Sequence, residues 1–161
     1  MHRIQRIFLG AALALLPPSF AAAAPDDIDP CAFLGKDDAA ALIGTPLGGD
    51  PVRANAICQY SSATDPKLRL FVSVLSLGPP TKMIYQSKAE EPGATAVSGI
   101  GDAAFVSSEE RADPKEYYFT VLQGEVMLQI TTSGIHQDDP KAAMIKAGHA
   151  ALPHLLEVAK G

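Results

Sequence analysis

From residue 67 to 75, every second side chain is apolar: Leu68, Leu70, Val72 and Val74 share one side of an extended chain. That period of two marks a β-strand with one buried face. The other side, with Arg69, Phe71, Ser73 and Leu75, is not cleanly polar. Segments 117–122 and 125–132 read as a hairpin closed by Gln123-Gly124. Such a turn sets Val121 opposite Val126, Phe119 opposite Leu128 and Tyr117 opposite Ile130, six apolar residues on one face. The reverse face places Tyr118, Thr120 and Leu122 against Gln129, Met127 and Glu125, so it is expected to be half wet. Shorter strands are expected over 56–60 and 103–107, and 97–101 is a glycine-bracketed segment. Segments 47–55 and 91–95 read as loops rich in Gly, Pro and polar residues.

Helical patterns occupy the rest. A short helix is expected from Gly35, its N-cap, with Asp37 and Asp38 in the first turn where the dipole favours anions. It ends at Gly44, and Pro46 blocks its resumption. A second helix over 81–88 would turn Met83, Ile84 and Ser87 inward. Asp139-Pro140 is an N-cap followed by a first-turn proline, and Met144, Ala147, Gly148, Ala151, Leu155 and Val158 then form a stripe at helical spacing. Small residues inside that stripe would let the helix sit close to a sheet. Pro153 removes the hydrogen bond to the His149 carbonyl, so a kink or two helices are expected there. The sum is one α+β domain, with a mostly antiparallel sheet of five or six strands and helices packed on one face. Ser61-Ser62 with Asp65-Pro66-Lys67 is echoed by Ser107-Ser108 with Asp113-Pro114-Lys115. A duplicated strand–turn–strand unit and two hairpins with shared turn chemistry both account for that echo.

The first 24 residues read differently. Arg3 and Arg6 precede an apolar run over 7–16, a Pro17-Pro18 break and four alanines before Pro25. This is the pattern of a cleaved secretory signal, leaving 25–161 as a single exported domain. The apolar run is too short to span a bilayer, so the chain is expected not to cross a membrane and to be periplasmic or secreted. The net charge of −5 becomes −7 once Arg3 and Arg6 are removed. An acidic chain without a Lys/Arg cluster is a poor partner for nucleic acid or anionic lipid. The two cysteines, Cys31 and Cys58, read as a disulfide in an oxidising compartment, with a free or metal-binding thiol as the alternative. Ile28-Asp29-Pro30 before Cys31 is not the small-residue run that lipid attachment requires.

Three fragments resemble a known family: Asp29-Pro30-Cys31-Ala32-Phe33-Leu34 running into the first helix, Cys58-Gln59-Tyr60, and Ser98-Gly99-Ile100-Gly101-Asp102-Ala103-Ala104-Phe105. In this order they are similar to small exported bacterial envelope proteins, mostly lipoproteins of unknown function. More distantly, they resemble extracellular sensor domains of bacterial serine/threonine kinases. The resemblance implies an antiparallel sheet packed by helices, a Cys31–Cys58 disulfide and a ligand-binding cleft. Gly35 and Asp38 depart from the family's Ser/Thr cap and Glu, and no catalytic residues carry over.

The remaining constellations favour structural roles. His149 and His154 are five apart and do not share a helix face, so no metal site is expected. Asp26, Asp27 and Asp29, like Asp138-Asp139, lack the alternation of a calcium loop. Gly99-Ile100-Gly101-Asp102 lacks the further elements of a phosphate-cradling loop and reads as a tight turn into a strand. No nucleophile elbow occurs. Catalytic residues, metals and cofactors are therefore not expected. Tyr118, Met127 and Leu122 are the candidate contact surface, on the wetter face of the hairpin. The expected function is a non-enzymatic exported binding module for a small molecule or peptide, with an envelope protein–protein interaction or inhibitor-like role as the alternative.

Overall fold

The computed structural model describes residues 28–160, so the expected signal segment lies outside the described residues. Its elements are α1 (Lys36–Ile43), β1 (Val52–Ala54), β2 (Ile57–Ser61), β3 (Arg69–Ser76), α2 (Pro79–Ala89), β4 (Thr95–Val97), β5 (Ala103–Glu109), β6 (Glu116–Gln123), β7 (Val126–Ser133) and α3 (Pro140–Val158). One sheet of seven strands runs β1-β2-β3-β7-β6-β5-β4, antiparallel at every junction. The α+β architecture is the expected one, but seven strands replace five or six. The two that the hydrophobic pattern missed, β1 and β4, are the three-residue edges of the sheet.

Even-numbered residues of β2 and β3 and odd-numbered residues of β6 turn to the main core. Cys58, Tyr60, Leu70, Val72, Phe119, Val121, Leu128 and Ile130 there meet Leu42 and Ile43 of α1 and Met144, Ala147, Ala151 and Leu155 of α3. Helix α1 starts at Gly35 and stops at Gly44, whose φ of 81° is the left-handed conformation that glycine supplies cheaply. The Asp139 carboxylate caps α3 by accepting from Ala142 N at 3.0 Å. Helix α3 continues through Pro153 instead of dividing there.

The hairpin register differs from expectation by two residues. Its two loop residues are Gly124 and Glu125, so Val121 pairs with Leu128 and Phe119 with Ile130. A slip of two keeps every side chain on its expected face, whereas a slip of one would have exposed the core. The sheet holds β1-β2-β3 and β4-β5-β6 as two antiparallel three-strand runs, but the echoed residues do not keep one register. Cys58 pairs with Val72, which the echo would carry onto Ala104 and Thr120, yet Ala104 pairs with Val121.

Helix α2 corrects two expectations. It lies on the opposite face of the sheet from α1 and α3, so helices cover both faces: Tyr85 packs with Phe105, Leu122 and Met127, and Ile84 and Ala89 flank them. Its buried residues are Thr81 and Tyr85; Ile84 turns inward in part, as expected, while Met83 is 63% exposed and Ser87 is exposed. Thr81 is drawn in because its Oγ1 accepts from Leu77 N at 2.8 Å, closing the turn that launches the helix.

Candidate functional site

The family-like fragments are fastenings of the fold. Asp29 accepts from Cys31 N at 3.0 Å, capping a 3-10 turn at Pro30–Ala32. Cys31 is bonded to Cys58. The Tyr60 hydroxyl donates to the Leu34 carbonyl, and burial, followed by the nearby Asp29 charge, raises its pKa. Gly101, at φ 58°, lies so close to β6 that a Cβ there would approach the Leu122 carbonyl oxygen to 2.7 Å. The Asp102 carboxylate then accepts from Gly124 N at 2.7 Å and Gln123 Nε2 at 3.2 Å. The glycine-rich segment thus clamps the β6–β7 turn.

Of the expected contact surface, Leu122 and Met127 are buried beneath α2 and offer nothing to a partner. The hairpin's outer face is therefore drier than expected at that end. Tyr118, four residues before Leu122 on the same face, lies past the end of the helix and remains partly open.

A cleft of about 210 Å³ opens there, between the C-terminal end of α2 and the sheet. Three neighbouring strands supply its floor. Ser107 pairs with Tyr118 across β5 and β6, and Phe105, Thr120 and Gln129 stand in one row across β5, β6 and β7. Phe105, Ser107, Tyr118 and Gln129 line the cleft, with Lys88, Glu91 and Pro92 on the helix side and Ser108 and Glu109 at the outer end. Thr120 is fully buried in this row, and its Oγ1 has no hydrogen-bond partner.

The electrostatics centre on Tyr118. Its hydroxyl donates to Glu116 Oε2. Its pKa is pushed up to about 12, first by burial, then by the Glu116 hydrogen bond and the charges of Glu116, Glu109 and Glu91. Sequence reasoning singled out Tyr118 and placed Gln129 on the same face, but did not bring Glu91, Glu109 and Glu116 to it, because carboxylates from separate elements carry no common spacing.

A second groove, about 310 Å³, separates α1 from α3 and has Asp38, Asp138, Asp139 and Lys146 among its residues. It is larger in volume but already bridged: Gln137 Nε2 donates to the Ala41 carbonyl at 2.6 Å, and Asp139 is occupied as a cap. His154 stands edge-on to Phe33 at 4.7 Å, with Nδ1 3.6 Å from Glu157. Among the described residues, no group of three or more His, Cys, Asp or Glu side chains is placed to hold a metal ion, and no helix is long and apolar enough to cross a membrane. Compared with known proteins, the chain matches no family model and no curated sequence.

Proposed function

We propose that the chain is a non-enzymatic binding module of the periplasm or cell envelope, taking a small ligand in the cleft beside α2. One observation carries this reading. Helix α2 covers only part of the sheet's outer face and stops where Tyr118, Phe105 and Gln129 form a floor of mixed aromatic and polar character. A few convergent polar groups over an apolar base are what small-molecule sites use for orientation. The Cys31–Cys58 bond fits work in an oxidising compartment. Native mass spectrometry of protein purified gently from the periplasm tests it. A retained small molecule that the Tyr118→Ala variant loses supports the reading. A bare protein, together with unchanged cleft resonances on adding periplasmic extract, sinks it.

The second reading is a protein–protein or inhibitor-like contact. It is favoured by the stretch of outer face that α2 does not reach, where Val52 is 63% and Ile57 44% exposed beside the free edge of β1. Chemical crosslinking in the periplasm should then trap one specific protein through residues of β1 and β2.

A further inference from the structure

We propose that the groove across the ends of β3, β7 and β6 binds a free amino acid with an apolar side chain, its carboxylate on Arg69 and its ammonium on Glu116. The groove, about 360 Å³, shares no lining residue with the cleft beside α2, so this inference goes beyond the reading of that cleft and does not rest on it. One row of the sheet sets its geometry. Arg69 opens β3 and pairs with Ser133 of β7, and Ser133 pairs in turn with Glu116, which opens β6. Two strand spacings put the Arg69 and Glu116 backbones about 10 Å apart, with the short Ser133 side chain between them. Long side chains of opposite charge reach across such a gap, yet these do not meet. Among the described residues, Lys67, Arg69, Asp113 and Glu116 take part in no ion pair. A neighbour holds each end back: Arg69 Nε donates to the Pro66 carbonyl at 3.2 Å, and Glu116 accepts from the Tyr118 hydroxyl.

Charge selects the occupant. Lys67 and Arg69 line the groove together with Asp113 and Glu116, two cations against two carboxylates. A simple anion meets the carboxylates and a simple cation meets the basic groups, whereas a molecule carrying both signs is matched at each end. Among the described residues, the terminal amino groups of Arg69 have no acceptor, so its planar fork is open to a carboxylate. Glu116 keeps lone pairs for an ammonium, and the Ser133 hydroxyl between them can donate or accept. The walls set the side-chain preference. Phe71, two residues on from Arg69 and on the same face, is half-buried, and Pro66 and Pro114 extend the apolar lining. A groove of about 360 Å³ is at the small end of ligand sites and suits a single amino acid.

The test is a titration of ¹⁵N-labelled protein at low ionic strength with leucine and two single-charge analogues: isocaproate, which lacks the ammonium, and isoamylamine, which lacks the carboxylate. Leucine is expected to move the amides of Arg69, Phe71, Glu116 and Ser133 saturably. Each analogue should bind about fivefold more weakly, since one exposed ion pair contributes up to about 1 kcal/mol. This comparison needs no variant. Arg69→Gln, checked for an unchanged folded spectrum, should abolish the preference for leucine over isoamylamine and keep that over isocaproate. Glu116→Gln should do the reverse. If isocaproate or isoamylamine binds the wild-type protein as tightly as leucine, the groove reads one charge and the amino-acid assignment fails. If no probe moves these amides, or leucine moves only those of Phe105, Ser107 and Gln129 in the cleft beside α2, the groove is not the site and the proposal falls.

Discussion

Gly148 of α3 rests directly on the ring of Phe119 in β6: a Cβ at Gly148 would lie 2.3 Å from Cε1 and 2.4 Å from Cζ of that ring. The missing side chain sets how closely the helix approaches the sheet. Alanine is the better helix former by about 1 kcal/mol, so propensity alone argues for a more stable Gly148→Ala variant. Packing argues the reverse. Phe119 is fully buried, protein interiors are close-packed, and overpacking costs about 1–3 kcal/mol. The expected outcome is a net loss of about 1–2 kcal/mol in urea unfolding. Adding Phe119→Leu, which shortens the ring beneath, should recover part of the loss from Gly148→Ala. A simple gain in stability for Gly148→Ala would show that the helix lifts freely.

The Cys31–Cys58 bond closes a loop of sequence separation 27 and ties the 3-10 turn to β2. In the chain-entropy treatment, a loop of this length contributes about 3.5 kcal/mol. Cys31→Ala/Cys58→Ala should lower unfolding stability by about that amount, plus the packing lost at buried Cys58. Thiol titration of the denatured, unreduced protein should find no free thiol.

How much of this was legible in the sequence depends on whether a signal was local. The ends of α1 at Gly35 and Gly44 and the start of α3 at Asp139-Pro140 are local capping chemistry, and each falls where expected. The strands β3, β6 and β7 are long enough for a period of two to show. The edges β1 and β4 span three residues each, mostly exposed, and offer no alternation to detect. The hairpin register turned on which two residues form the loop, and both choices preserve the faces, so the hydrophobic pattern could not decide between them. In helix α2 the sequence pattern placed Ile84 correctly but turned Met83 and Ser87 inward, because Met83 looks like core by composition. Which residue faces inward is decided by Thr81 bonding to Leu77 N and by Tyr85 meeting Phe105, 20 residues later. The cleft depends on where α2 ends over the sheet, a tertiary fact, so only Tyr118 among its residues was anticipated as a contact.

Asp102 fastens the β6–β7 turn, whose Gly124 lies two residues beyond Leu122, its own backbone partner. Its carboxylate receives Gly124 N at 2.7 Å, while its backbone N–H donates to the Leu122 carbonyl at 2.9 Å. Asp102→Ala removes the first bond and leaves the second. A hydrogen bond to a charged acceptor is worth about 1.5–3 kcal/mol, toward the low end at a solvent-exposed site such as this. The variant should lose about 1–1.5 kcal/mol, with faster hydrogen exchange at Gly124 and unchanged exchange at Asp102. Equal acceleration at both positions would show that the segment detaches as a whole.

Tyr118 should report its surroundings by titration. Its folded pKa, about 12, lies above the ordinary 10.0, because burial and the carboxylates Glu116, Glu109 and Glu91 disfavour the phenolate. Between those two values the unfolded chain has released this proton and the folded chain has kept it, so the unfolded state binds fewer protons and stability falls as pH rises. The stabilisation is fully present below pH 10 and is lost progressively as pH climbs through about 12. Phenolate absorbance should show Tyr118 ionising last or among the last, since burial also raises Tyr85 and, with Asp29, Tyr60. Glu116→Gln removes both a charge and an anionic acceptor, and should move the Tyr118 midpoint down toward 10 while leaving Tyr60 in place. Tyr118→Phe should make the alkaline loss of stability shallower over the same interval. If Glu116→Gln leaves the midpoint unmoved, burial and the remaining charges of Glu109 and Glu91 set it, and the Glu116 hydrogen bond contributes nothing to it.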